Sequence, residues 1–176
     1  MDLAKTIKTR RSIRRWKKKH VPSKLIKKAI ELAAHAPSSM NSQPWEFIVV
    51  RNKKSLERLI KPRENGSSEE MQPPVIIAVC VDIKRSPKRW IEDGSCATQN
   101  LLLALHAMGI GAVWLTAYKH PILIRKSKIE RTTIRTLKLP GHVRPVCLIA
   151  LGYPDEKPKK KAMRSLNRMV HHETFR

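Results

Sequence analysis

Apolar residues recur every three or four positions in some stretches of this chain and alternate or run together in others, and that change of period divides it into helices and strands. Leu3 and Ile7, four residues apart behind the capping residue Asp2, predict a helix to Thr9. A second begins after Val21-Pro22-Ser23, where Leu25, Ile26, Ala29, Ile30 and Ala33 share a face, and it ends before Pro37. The basic loop Arg10 to His20 separates them. Trp45 to Val50, aromatic and β-branched, predicts a strand, followed by a short helix from Lys53 to Ile60. Val75 to Val81 is a nearly continuous apolar run between Pro74 and Asp82, the mark of a strand covered on both faces. The longest helix is expected from Ile91 to Met108, closed by Gly109. Its face of Gly94, Ala97, Leu101, Ala104, Leu105 and Met108 begins with small residues that permit close helix approach. A strand over Ala112 to Thr116, helical pieces over Ile122 to Lys126 and Arg131 to Leu137, and a strand over Pro145 to Leu151 complete the pattern.

Two stretches fall outside it. Residues 61 to 72 hold Pro62, Gly66, Ser67, Ser68 and three Glu, the composition of a mobile loop. After Gly152-Tyr153-Pro154 comes a basic run, Lys157 to Arg164, and then a short amphipathic stretch with Leu166, Met169, Val170 and Phe175. Those apolar groups call for a surface to dock on, for which a partner subunit is the candidate.

The 176 residues suit one domain, 1–176, able to bury a core without disulfides or metal. The expected fold class is α+β, a mixed β-sheet flanked by helices. No run approaches the roughly eighteen consecutive apolar residues of a membrane span. Met1 to Arg15 is basic without the apolar core of a secretory signal, so a cytoplasmic location is expected. Cys80, Cys96 and Cys147 are odd in number and each lies in an apolar segment, which reads as three buried thiols and no metal site.

The net charge of +23 changes the picture. It implies attraction for phosphates, nucleic acid or acidic surfaces, although the cations are spread along the chain as they would be on a solvated surface. A basic nucleic-acid-binding module, binding without sequence specificity, is therefore one candidate reading, against which stand only two Tyr and two Phe for stacking.

Two segments carry chemistry. Arg10-Arg11-Ser12-Ile13-Arg14-Arg15 joins bidentate guanidinium donors to a hydroxyl, a set that suits a phosphomonoester as well as it suits a solvated basic loop. Ala36-Pro37-Ser38-Ser39-Met40-Asn41-Ser42-Gln43-Pro44-Trp45 places five small polar side chains between two prolines, with donors and acceptors for the polar edge of a heterocycle. Gly109-Ile110-Gly111 closes a helix and precedes a strand, the reverse of a dinucleotide fingerprint. No metal-binding or nucleophile motif appears, so no catalytic side chain is assigned.

Arg10 to Arg14 and Ala36 to Trp45, in that order, resemble the nitroreductase family, and Ala97 to Trp114 and Leu148 to Pro154 look like its central helix and last strands. The resemblance implies an intertwined homodimer with FMN at its interface, NADH or NADPH as co-substrate and a small-molecule electron acceptor such as a nitroaromatic or quinone. Reductive dehalogenation and flavin breakdown are activities of similar relatives. By the same resemblance Arg10 and Ser12, with Arg11 beside them, hold the FMN phosphate and Arg14 faces the pyrimidine side of the flavin. Pro37, Ser38, Ser39, Asn41 and Gln43 line the ring, partly from the second subunit. A basic residue after the Gly-Tyr-Pro turn completes the phosphate site; Lys159, Lys160, Lys161 and Arg164 compete for that place, with Lys161 and Arg164 taken as the candidates. A flavin carries the redox chemistry itself, which agrees with the missing catalytic constellation.

Overall fold

A computed structural model describes residues 2–61, 71–118 and 128–175. Helix α1 (Leu3–Thr9) starts where Asp2 accepts the Lys5 backbone N–H at 3.2 Å, and α2 (Ser23–Ala33) follows Pro22. Strand β1 (Trp45–Val50) leads to α3 (Lys53–Ile60), capped by the Asn52 side chain on the Ser55 N–H. Then come β2 (Val75–Asp82), α4 (Trp90–Ala107), β3 (Gly111–Thr116), α5 (Lys128–Leu137) and β4 (Val143–Gly152). Helix α4 ends in a Schellman turn: Gly109, at φ 75°, donates to the His106 carbonyl, and Ile110 donates to the Leu105 carbonyl. The expected piece over Ile122 to Lys126 and most of the loop of residues 61 to 72 lie outside the described residues.

The four strands stand in the order β1-β2-β4-β3, and each neighbouring pair is antiparallel. Parallel pairing enters this sheet through an isolated bridge between Ser12 and Ala112, so the expected mixed sheet is antiparallel in its four strands and parallel where residues 12–13 meet β3. Helices cover both faces. Val75, Ile77 and Val79 of β2 pack with α2 and α4, through Ile26, Ala29, Leu101 and Leu105. Ile76, Ala78 and Cys80 point the other way, against Leu56, Leu59 and Ile60 of α3. A period of two with apolar partners on both sides is why β2 reads as an unbroken apolar run.

Gly94, at the start of α4, serves the sheet. A Cβ on Gly94 would stand 2.6 Å from Val146 Cγ2 and 3.0 Å from Val81 Cγ2, so the helix crosses β2 and β4 with no room for a side chain. Further along, α4 packs on α2 through Leu101, Ala104 and Leu105 against Ala29 and Ala33. Cys80 and Cys147 are buried as expected, burial with a smaller contribution from Glu46 pushing the Cys80 thiol up to about 12, whereas Cys96 is exposed. Cys96 lies about 100° around the helix from Ala97 and so faces away from the apolar stripe.

Several apolar side chains remain uncovered. Leu3 and Ile7, the expected inner face of α1, are 67% and 54% exposed, and Leu166, Val170 and Phe175 are 68%, 52% and 90% exposed. The stripe on α1 and the apolar end of the chain find no cover among the described residues.

Candidate functional site

The first polar segment is fixed by the edge of β3. Ser12 bridges Ala112, the Ile13 N–H donates to the Ala112 carbonyl at 3.1 Å, and the Trp16 indole N–H donates to the Gly111 carbonyl at 3.0 Å. Gly111 is required there, since a Cβ would stand 2.9 Å from three Ile13 side-chain carbons. This places Arg10, Arg11 and Ser12, all half-buried, beside the last turn of α4. Arg11 donates through Nη1 to the carbonyls of Lys8 and Arg10, and its buried Nε has no partner among the described residues. A buried cationic donor left unsatisfied is an invitation to an anion.

His106 was missed by the sequence reading. Its Nε2 lies 2.8 Å from the Thr9 hydroxyl, which also lies within donating distance of the Lys5 carbonyl at 2.7 Å. Burial first, then the Arg10 and Arg11 charges, hold its pKa below the ordinary histidine value. Its visible signal was a histidine in the last turn of a helix, four residues after Leu102.

Arg14 is exposed. Its backbone N–H and that of Arg15 both donate to Glu156 Oε1, and the Asp155 N–H donates to the Arg15 carbonyl at 3.0 Å. The basic run after Pro154 therefore leaves the sheet beside Arg14. Lys161 and Arg164 are themselves exposed, and Arg164 donates to the Arg168 carbonyl at 3.1 Å; no contact between either side chain and Arg10, Arg11 or Ser12 is present among the described residues.

The second segment is a tight turn entering β1. Met40, Asn41 and Gln43 adopt φ of 52°, 53° and 44°, the left-handed region, around a single 3-10 turn at Ser39–Asn41. The turn is cross-braced: Gln43 N–H donates to Ser38 Oγ at 3.0 Å and Gln43 Nε2 to Asn41 Oδ1 at 3.0 Å. Asp93, 5% exposed, anchors it through the Ser39 N–H at 2.9 Å while its other oxygen accepts the Ser86 hydroxyl at 2.7 Å. Arg85 Nε holds the Ser42 carbonyl at 3.0 Å. Beside this turn opens a cavity of about 300 Å³, with Pro37, Ser38 and Ser39 on one wall and Arg89, Asp93 and Cys96 on the other. The sequence reading missed Asp93 too. An acid four residues before Ala97, in line with the apolar stripe of α4, was its signal.

The two segments are not together in one chain. Ser12 lies beyond β3 at the Gly111 end of the sheet; the 38–43 turn precedes β1, the opposite edge strand, at the Thr116 end. Four strand spacings separate them across the sheet, roughly 19 Å, and a six-residue strand, roughly 20 Å, along it. Helix α4 repeats the measurement: Asp93 holds the turn, and His106, thirteen residues on and about 20 Å away along the axis, holds Thr9.

Comparison with known proteins agrees with the resemblance of the motifs. The model of the Nitroreductase family matches residues 7–89 and 71–153. A protein of Methanothermobacter thermautotrophicus, provisionally named NADH dehydrogenase/NAD(P)H nitroreductase, is 42% identical over 160 residues, covering 90% of this chain and 80% of that one. A crystal structure of a protein with the same provisional name from Parabacteroides distasonis superposes with a TM-score of 0.88 at 34% identity, over 98% of each chain. An FMN-dependent nitroreductase from Clostridium difficile R20291 gives a TM-score of 0.84 at 30% identity, over 98% of this chain and 100% of that one.

Proposed function

Because the chain belongs to the nitroreductase family, we propose that it is an FMN-dependent oxidoreductase that draws electrons from NADH or NADPH and delivers them to a small oxidised acceptor such as a nitroaromatic or quinone. The oxidoreductase class and the FMN and nicotinamide requirement are supported by the names of its relatives. FMN, when bound, accepts hydride from the nicotinamide and passes the electrons to the acceptor in a ping-pong cycle within one open pocket.

The observation that carries the reading is the separation of the two polar segments. Each is braced by hydrogen bonds, yet they stand at diagonal corners of the sheet, too far apart to grip one end of a small ligand together. A symmetric pair of chains resolves this by bringing the Arg10–Arg14 loop of one protomer to the 37–43 turn of a second copy. The uncovered Leu3 and Ile7 and the apolar end of the chain supply the surface for such a homodimer.

In that assembly Arg10, Arg11 and Ser12 hold the FMN phosphate, Arg11 Nε gaining the partner it lacks, with Lys161 or Arg164 arriving from the segment beside Arg14. Arg14 places a cation at the pyrimidine edge, where negative charge builds on reduction. Pro37, Ser38, Ser39, Asn41 and Gln43 line the ring, their backbone held by Asp93. The donor set fits a flavin phosphate: guanidinium groups and a hydroxyl in a half-buried loop without a carboxylate side chain. Residues 1–176 form one such domain. Three free thiols suit a reducing compartment, and we place the protein in the cytoplasm. No described helix is long and apolar enough to cross a membrane. The rival activities of dehalogenation and flavin breakdown turn on the loop of residues 61 to 72, of which 62–70 lie outside the described residues.

The test is the cofactor itself. The purified protein should be yellow, and heating should release FMN. Protein that stays colourless after FMN is added overturns the reading.

A further inference from the structure

The excess charge has a structure. Residues 14–17 pair antiparallel with residues 153–156: Trp16 bridges Pro154, the Lys17 N–H donates to the Tyr153 carbonyl at 2.9 Å, and the Asp155 N–H donates to the Arg15 carbonyl at 3.0 Å. Two basic runs that are far apart in sequence thereby become neighbours. Residues 14–19 and 157–161 together carry nine Lys or Arg, all exposed, and seven of them remain when Arg14 and Lys161, proposed for the FMN, are set aside. The joint contains two carboxylates, Asp155 and Glu156, and Glu156 is turned inward onto the backbone N–H groups of Arg14 and Arg15. The ion pairs among the described residues, Lys28–Glu31, Arg89–Glu92 and Arg144–Glu130, all lie elsewhere. Self-repulsion on this scale disfavours the folded joint, and a polyanion that releases its counterions there reverses the sign.

We propose that this ridge docks the phosphate backbone of duplex nucleic acid without reading its sequence. Phosphate rather than base contact follows from the aromatic groups at hand. The Trp16 ring packs against the core, its N–H held by the Gly111 carbonyl, and the Tyr153 ring lies under Lys19 Nζ at 4.5 Å, so neither ring of the joint stands free for an unpaired base to stack on. With stacking absent, charge density decides, and a duplex exceeds a single strand. The ridge is built from this chain's own backbone pairing and does not depend on the flavin reading.

The test is anisotropy of a labelled mixed-sequence duplex with the full-length protein over a salt series, on the wild type and two variants that each remove four charges. One takes them from the ridge, R15Q/K17Q/K18Q/K157Q; the other takes them from α2 and α3, K24Q/K27Q/K53Q/K54Q. The ridge variant should lose at least tenfold in affinity near physiological salt, and its log–log salt slope should fall by about three to four, near 0.9 per lost phosphate contact. The α2–α3 variant should keep most of both. Equal loss in the two variants would show that net charge alone acts, and would overturn the proposal. So would tighter binding of the single strand, selectivity among sequences, or competition by polyglutamate as strong as that by unlabelled duplex, the last pointing to an acidic protein instead. The visible spectrum of each sample reports FMN separately, so a colourless protein that binds duplex refutes the flavin assignment and leaves the ridge standing.

Discussion

Asp93 Oδ1 accepts the backbone N–H of Ser39 at 2.9 Å, tying the turn that enters β1 to the first turn of the central helix. The carboxylate is buried and its second oxygen is committed to Ser86, so this is a rigid strut under a backbone with three residues in the left-handed region. Asp93→Ala leaves the buried Ser86 hydroxyl without an acceptor, which costs about 1–3 kcal/mol, and releases the N–H of Ser39 in the exposed turn. The expected result is a fold that persists with a lower Tm and FMN affinity reduced at least tenfold. Asp93→Asn, which retains an acceptor, should recover much of the affinity. Flavin-fluorescence titration checks both, and an unchanged Kd in Asp93→Ala would remove Asp93 from this role.

His106 makes the apoprotein pH-sensitive. Its folded pKa is depressed, so at pH values near and below the ordinary histidine value of 6.5 the unfolded chain binds the extra proton more readily. The stability involved is therefore complete above about pH 6.5 and is lost as pH falls through the folded value. Thermal unfolding of the apoprotein between about pH 7.5 and 5.5 should show a falling Tm in the wild type and a shallower fall in His106→Gln. Parallel curves would contradict the assignment.

Gly94 tests the packing of the central helix. A methyl group 2.6 Å from Val146 Cγ2 must displace a core strand, and overpacking of this kind costs about 1–3 kcal/mol. Gly94→Ala should lower Tm by several degrees without changing the oligomeric state measured by sedimentation, because the residue serves the sheet rather than a subunit contact. A shift toward monomer would place it at the interface after all.

Much of this fold could be read from local signals. Strand β1 and helix α3 begin and end where the pattern put them, because an aromatic and β-branched run and an Asn cap act within a few residues. What could not be read was which surface covers which stripe. Leu3 and Ile7 announce an apolar face, but spacing is silent on whether its cover belongs to the same chain. The antiparallel order β1-β2-β4-β3 and the meeting of Ser12 with Ala112 depend on long-range pairing for the same reason. Both polar segments were visible as clusters of suitable side chains. Their separation was not, and neither were Asp93 and His106, single polar residues on a helix read for its apolar face. Cys96 was misplaced inside because an apolar neighbourhood in sequence was taken for one in space.

The separation itself yields a sharp prediction. If one protomer supplies Arg10 and the other the 37–43 turn, Arg10→Ala and Asn41→Ala inactivate different halves of each site. Mixed as subunits and reassociated, the two variants form hybrid dimers with one intact site, restoring about a quarter of wild-type sites after random exchange. Measured NADH oxidation that stays at the level of the separate variants would place both residues in the same half of the site.

Most direct is an anaerobic titration of the FMN-loaded protein with NADH and with NADPH, followed in the visible spectrum. An FMN-dependent oxidoreductase predicts that one equivalent of at least one nicotinamide per FMN bleaches the flavin bands, and that a quinone added afterwards restores them. Retention of the oxidised spectrum under excess of both nicotinamides would contradict the account.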